Sequence, residues 1–231
     1  MNLIRRLREA PVTVGLIAVN LLVYVVMVAL SQHLVSFGNA TLVGAGACIS
    51  GANLEGTHWR WLTAAFVHVG IAHIFMNLWV LAQIGVISER AIGRGLFVAT
   101  YVATGVVGNV LSTFLGAGSA VPRISAGASG AIMGLIGTAT VFAWRSGQRA
   151  LARSLAFNIL LILGVGLSLS AGGIGLVDNA AHIGGLIAGA VVGLGRVRAP
   201  APAPRWLDAT LIGAAIALTA IAFAVVLATG G

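Results

Sequence analysis

Long stretches without a charged residue constrain this chain more than any other feature of its sequence. Seven such stretches occupy residues 10–54, 61–88, 95–122, 124–144, 154–177, 179–195 and 209–231. A membrane-spanning helix needs about 20 mostly apolar residues. Only 8% of all residues are charged and 59% are hydrophobic, and a soluble globule of 231 residues cannot bury that much apolar surface. The sequence therefore predicts an integral membrane protein and excludes soluble, disordered and disulfide-framework classes.

The stretches predict seven transmembrane helices in an all-α, polytopic bundle. We place them near residues 11–30, 69–88, 96–116, 127–144, 154–171, 178–195 and 208–229. The segment 41–52 is too short and too weakly apolar to form another span. A Pro-rich stretch at 197–207 predicts an extended linker, which divides the chain into a six-helix core over 1–196 and an additional C-terminal helix over 208–231.

The distribution of arginine predicts the orientation of these helices. With the N-terminus in the cytoplasm, the outside segments carry only Arg60 and Arg123, and the other arginines lie inside. Gly231 is then extracytoplasmic and the linker is cytoplasmic. Because orientation explains the net charge of +8, no nucleic-acid partner is expected. The use of Arg without Lys, together with abundant Ala and Gly, suggests a multi-pass protein of a bacterial inner membrane.

Four polar side chains interrupt the apolar helices near the outer surface. His73, Ser129 and His182 each lie close to the outer end of a helix, within about 10 Å of the membrane surface at 1.5 Å per residue. Asn77 follows His73 by one turn on the same face. Taken singly, each has an ordinary structural explanation, such as a hydrogen bond within or between helices. Together at one level of the membrane, they favour a functional site.

These residue types suit acyl transfer by a serine enzyme. A serine hydroxyl needs a neighbouring base, so Ser129 is the predicted nucleophile and His182 the predicted base. The tetrahedral intermediate needs hydrogen-bond donors, which His73, Asn77 and the first backbone N–H groups of the fourth helix can supply. Asp178 could orient His182 as the third member of a triad, but capping of the sixth helix is the favoured interpretation.

Small residues follow the two helices that carry this predicted pair. They are Gly130 and Gly134 on the fourth helix, and Ala181, Gly185, Gly189 and Gly193 on the sixth. Helices in lipid pack closely through small residues, so the two stripes are predicted to meet and bring Ser129 to His182. The GASGA sequence around the serine differs from the nucleophile elbow of soluble hydrolases, because position 131 is Ala and no strand is expected before it.

The sequence predicts neither a metal nor a cofactor. It lacks an H-E-x-x-H zinc motif, and the single Cys48 can form neither an internal disulfide nor a cysteine cluster. His33 and His58 are expected in water-exposed loops. His68 is expected at the membrane interface, in a structural hydrogen bond.

Three segments resemble the rhomboid intramembrane serine proteases: WRWLTAAFVHVGIAHIFMNLW, SAGASGAIMG and NAAHIGGLIAG. The resemblance covers residues 1–196 in helix order and spacing. Four family motifs are matched: a WR pair by Trp59 and Arg60, a His-His-Asn series by His68, His73 and Asn77, GxSG by Gly127, Ser129 and Gly130, and AHxxGxxxG by Ala181, His182, Gly185 and Gly189. The chain departs from the family pattern at Met76, where an aromatic residue is common, and in its seventh helix.

The resemblance implies a serine endopeptidase with a Ser129–His182 dyad and no acid, and with His73 and Asn77 at the oxyanion. It also implies that the substrates are transmembrane proteins, cleaved near their extracytoplasmic end. Two other functions stay open: a non-proteolytic rhomboid-like protein that binds membrane clients, and a small-solute transporter. The intact Ser–His pair favours the protease, and the one-sided polar cluster disfavours a transporter, whose site would lie near the midplane.

Overall fold

The computed structural model describes residues 3–50, 56–116, 123–171, 177–198 and 204–230. In chain order its elements are α1 (Leu3–Arg8), α2 (Pro11–Ser31), α3 (Asn39–Gly44), β1 (Cys48–Ile49), α4 (Arg60–Thr63), α5 (Ile71–Ile92), α6 (Arg94–Leu115), β2 (Ile124–Ser125), α7 (Ser129–Arg145), α8 (Arg149–Ala171), α9 (Asn179–Arg198) and α10 (Arg205–Thr229). The seven longest helices correspond to the seven predicted spans, and the prediction of a polytopic helical protein is confirmed.

Not every helix has the length and composition of an independent span. Among the described residues, α2, α5, α6, α8 and α10 are long and apolar enough to cross a membrane. The helix α7 has only 17 residues, and the apolar part of α9 is Asn179–Gly195. Because α5, α6, α8 and α9 all pack against α7, most of its surface faces protein and is not exposed to lipid.

A buried carboxylate explains why α5 runs further than the sequence suggested. The helix was predicted to end near residue 88, but it continues through Glu89 to Ile92. The Glu89 carboxylate accepts hydrogen bonds from the backbone N–H groups of Val12 and Thr13, at 3.2 and 2.8 Å. It also accepts one from the Thr13 hydroxyl at 2.7 Å. Glu89 therefore caps the start of α2, so its charge is satisfied inside the bundle and does not mark a helix end.

The segment between α2 and α5 folds against the bundle and, in its described residues, holds only short elements. As predicted, no spanning helix forms over the described part of 41–52. Instead, β1 pairs antiparallel with β2, with Cys48 opposite Ser125 and Ile49 opposite Ile124. The expectation that no strand precedes Ser129 is therefore wrong. A strand of two residues is too short to produce an alternating pattern in the sequence.

The last helix packs directly on the six-helix core. It contacts α6 and α4, and the Phe223 ring lies edge-on to the Phe66 ring with 6.1 Å between centroids. The Asp208 carboxylate accepts a hydrogen bond from the backbone N–H of Gly95 at 2.9 Å, so α10 caps the start of α6. Of the expected linker, residues 199–203 lie outside the described residues, and its two ends belong to α9 and α10.

Candidate active site

The backbones of α7 and α9 touch. A Cβ atom placed on Gly185 would lie 2.0 Å from the carbonyl oxygen of Gly130. One placed on Gly189 would lie 1.9 Å from the carbonyl oxygen of Gly134. Real Cβ atoms essentially never come within 3.0 Å of another heavy atom, so only glycine fits at either position. The prediction that the two small-residue stripes meet is confirmed.

This contact brings together the starts of the two helices. Ser129 is the first residue of α7 and His182 the fourth residue of α9. The residues next to them are in contact, since a Cβ on Gly130 would lie 3.3 Å from the carbonyl oxygen of Ala181. Ser129 is half-buried and His182 is buried. No hydrogen bond joins the two in the described structure, and Nδ1 of His182 is buried there without a partner.

The His73 ring lies against the turn that leads into α7. A Cβ on Gly127 would lie 2.6 Å from Cε1 and 2.9 Å from Nε2 of His73. Gly127 also has a φ of +134°, which side chains disfavour, so glycine is required there for two reasons. Within the described chain, Nδ1 of His73 is buried without a hydrogen-bond partner. The ring therefore lies directly against the turn before Ser129.

His68 joins two backbone segments behind this turn. Its Nε2 accepts a long hydrogen bond, 3.5 Å, from the backbone N–H of Ala128. The proton is then on Nδ1, which donates to the carbonyl oxygen of Phe66 at 3.1 Å. The ring is fully buried, 5.2 Å from the His73 ring, and makes the structural hydrogen bonds that the sequence predicted. Both ring nitrogens are hydrogen-bonded to backbone groups, so His68 helps to fix the conformation of the turn before Ser129.

Asn77 lies one turn along α5 from His73. Its Nδ2 donates to the His73 carbonyl oxygen at 2.9 Å, and its side chain is buried. A carboxamide nitrogen carries two N–H groups, so this bond leaves one donor available. The neighbouring Met76 is 65% exposed and belongs to the outer surface of the helix.

Asp178 caps α9. Its Oδ1 accepts a hydrogen bond from the backbone N–H of Ala181 at 2.9 Å. Its Oδ2 accepts hydrogen bonds from the hydroxyls of Ser112 on α6 and Ser125 on β2. In the described structure the carboxylate makes no hydrogen bond to His182, so the interpretation as a cap is confirmed. Sequence reasoning missed both serines, because their meeting with Asp178 depends on the tertiary fold.

Trp59 and Arg60 shape the segment before α5 without touching Ser129. The Arg60 guanidinium donates from Nη1 to the carbonyl oxygens of Val43 and Ala47, at 2.6 and 3.1 Å. It also lies over the Trp59 ring, 4.4 Å from the centroid. These bonds hold α3 and the chain leading to β1 against α4, which shapes the segment that continues to His68.

The remaining side chains that could bind a metal ion lie far apart. The Cys48 thiol donates to the carbonyl oxygen of Arg60 at 3.2 Å, and burial raises its pKa to about 12. His33 and His58 are exposed, as expected. In the described ranges, no three His, Cys, Asp or Glu side chains come close enough to hold a metal ion.

Comparison with known proteins matches residues 55–199 to the Rhomboid domain family model, which covers all the candidate site residues. "Rhomboid protease GluP" of Bacillus subtilis is 37% identical over 183 residues, 77% of this chain and 34% of that protein. "Rhomboid-like protease 2" of Toxoplasma gondii is 31% identical over 186 residues, 78% of this chain and 62% of that protein. "Rhomboid-like protease 1" of the same organism is 30% identical over 227 residues, 94% of this chain and 75% of that protein. The chain thus spans about a third of the first relative and less than two thirds of the second.

Proposed function

The chain belongs to the rhomboid family, and we propose that it is an active intramembrane serine protease with Ser129 as nucleophile and His182 as general base. The observation that carries this proposal is the backbone contact between α7 and α9. Glycines at positions 130, 134, 185 and 189 allow that contact, and it holds the starts of the two helices side by side. The proposed substrates are transmembrane segments of other proteins.

The proposed reaction uses the two side chains in turn. The Ser129 hydroxyl oxygen attacks the carbonyl carbon of the scissile peptide bond while an imidazole nitrogen of His182 takes the hydroxyl proton. The same nitrogen then gives this proton to the departing amine, which leaves an ester on Ser129. Water, deprotonated by His182, hydrolyses that ester and frees the serine. Asp178 takes no part, because its oxygens accept hydrogen bonds from the α9 backbone and from two serine hydroxyls.

Several donors near Ser129 are suited to the negative oxygen of the tetrahedral intermediate. The first N–H groups of α7 have no partner within the helix, and the helix dipole makes that end positive. His73 lies against Gly127, and Asn77 retains a second amide N–H beyond the one bonded to the His73 carbonyl. We assign both side chains to stabilisation of the oxyanion.

The length of α7 supports a site recessed in the membrane. Its 17 residues extend about 26 Å, which is less than the ~30 Å thickness of the hydrocarbon core. Arg145 closes one end of this helix, and an arginine is costly within hydrocarbon. The Ser129 end is therefore the one that lies below the membrane surface. The arginine distribution favours the extracytoplasmic side for this end, which fits cleavage near that side of a bacterial inner membrane.

Cleavage of a model transmembrane substrate in liposomes tests the proposal. Wild-type protein should cleave, and Ser129→Ala should reduce cleavage to the background rate while the protein stays folded. Ser146→Ala removes an exposed hydroxyl just beyond the other end of the same helix and should keep the wild-type rate. Cleavage by Ser129→Ala at the wild-type rate would refute the nucleophile. Wild-type protein that binds the substrate without cutting it would favour the client-binding alternative.

A further inference from the structure

A cleft lies at the opposite end of α7 from Ser129. It has a volume of about 410 Å³, is open on one side and is lined by residues of α7, α8 and α9. The apolar part of its wall includes Val141, Ala156 and Leu194, and its mouth carries Trp144, Arg145 and Arg153. The cleft is in the size range of small-molecule sites, about 300–1,000 Å³. It shares no lining residue with the proposed active site.

Positive charge collects at the mouth of this cleft without an acidic counterpart among the described residues. Arg145 ends α7, Arg149 begins α8 and Arg153 follows one turn later on the same face. Neither ion pair found among the described residues involves these three arginines. The described acidic side chains are engaged elsewhere, either in those ion pairs or at the starts of helices. An anion bound here would therefore meet several guanidinium groups and, within the described part of the chain, no competing carboxylate.

A second cleft offers a useful comparison. It has almost the same volume, about 400 Å³, and its lining includes Arg6 and Arg90. There, however, Arg90 pairs with Glu9, so part of the positive charge is neutralised by the protein itself. Size and arginine content are thus shared by the two clefts, and uncompensated charge distinguishes the one at Arg145 and Arg153.

The aromatic residue at the mouth indicates the environment of the bound anion. The Trp144 side chain is 50% exposed, and the Arg149 guanidinium lies over its ring at 4.0 Å from the centroid. Tryptophan and arginine at the end of a transmembrane helix are typical of the headgroup level of a bilayer. A ligand at this level has access both to the guanidinium groups and to the apolar wall below them.

We propose that this cleft binds an anionic glycerophospholipid, with its phosphate held by Arg145 and Arg153 and one acyl chain lying along Val141 and Ala156. Guanidinium groups bind phosphate oxygens through paired, charge-assisted hydrogen bonds. A zwitterionic lipid carries a choline or amine that three arginines would repel. Basic clefts between transmembrane helices are suited to anionic headgroups for this reason. The proposal does not depend on whether Ser129 is catalytic.

Native mass spectrometry of the delipidated full-length protein, titrated with phosphatidylglycerol or with phosphatidylcholine, tests the proposal. Wild-type protein should retain phosphatidylglycerol in preference to phosphatidylcholine. The double variant Arg145→Gln/Arg153→Gln should bind phosphatidylglycerol about 30-fold more weakly, the effect of losing two arginines near a lipid phosphate. The matched control Arg5→Gln/Arg8→Gln removes the same charge from exposed positions on α1 and should bind as wild type does. Thermal unfolding of each variant checks that all are folded.

Four results would overturn the proposal. Equal weakening by the two double variants would mean that general surface charge attracts the lipid. Equal retention of phosphatidylcholine by the wild type would mean that the net charge of the headgroup does not contribute to selection. Displacement of phosphatidylglycerol by millimolar inorganic phosphate would assign the site to free phosphate. The variant Arg145→Lys/Arg153→Lys should bind with intermediate strength, because it keeps the charge but loses the paired hydrogen bonds. If it bound as weakly as the glutamine variant, positive charge would contribute nothing to binding, which would also contradict the proposal.

Discussion

Gly185→Ala is the substitution that most directly probes the contact between α7 and α9. The added methyl group would lie 2.0 Å from the carbonyl oxygen of Gly130, and its next neighbours are the Cα and carbonyl carbon of the same residue. All of these are backbone atoms, so no side chain can rotate away. To restore the 3.0 Å below which real Cβ contacts essentially never fall, the two helices must separate by about 1 Å.

Both stability and activity should respond to this separation. Overpacking in a close-packed interior costs about 1–3 kcal/mol of unfolding free energy. A displacement of about 1 Å at a catalytic group can cost about 10²-fold in rate, and this one acts one residue from Ser129. We therefore expect Gly185→Ala to lower the unfolding free energy by ~1–3 kcal/mol and turnover by about 10²-fold.

Gly195→Ala is the matched control on the same helix. A Cβ at this position meets nothing within 4 Å, so only the higher helix propensity of alanine acts there. The assay compares turnover of a transmembrane substrate and the thermal unfolding midpoint for wild type and both variants in one detergent. A Gly185→Ala protein as stable and active as Gly195→Ala would refute the argument that backbone contact between α7 and α9 holds the dyad.

Three further predictions concern individual side chains. His73→Ala and Asn77→Ala should each lower kcat for substrate cleavage by about 10²–10³-fold with little change in KM, the usual cost of one oxyanion donor; unchanged kcat would remove them from the site. Asp178→Asn should keep most activity because asparagine also caps helices, whereas a loss as large as that of His182→Ala would reveal a triad. Burial raises the Cys48 thiol pKa to about 12, so almost no thiolate exists at pH 7. Iodoacetamide should therefore label this residue only after unfolding. Rapid labelling of the folded protein, read by mass spectrometry, would contradict the burial.

The helices were predictable because length and charge alone determine what can cross a bilayer. The apolar runs identify seven helices, and the spacing of Gly185 and Gly189 against Gly130 and Gly134 identifies which two touch. Both signals are local and periodic, so a single sequence contains them. The spacing of His73 and Asn77 on one face of α5 is a signal of the same kind.

The long-range hydrogen bonds that cap the helices around the candidate site could not be predicted from such local patterns. Glu89 caps a helix 76 residues earlier in the chain, and Asp208 caps one 113 residues earlier. The serines that bind Asp178 lie on two different elements, α6 and β2. Nothing in the local sequence distinguishes these side chains from ordinary polar residues, because each partner is brought close only by the packing of whole helices.

Labelling by a fluorophosphonate probe tests the central claim, that Ser129 is a nucleophile activated by His182. The probe forms a covalent bond only with an activated serine hydroxyl, and peptide mass spectrometry identifies the residue that carries it. We expect stoichiometric labelling of wild-type protein at Ser129, none in Ser129→Ala, and strongly reduced labelling in His182→Ala. Labelling that persists unchanged in Ser129→Ala, or that proceeds at the wild-type rate without His182, would contradict the account.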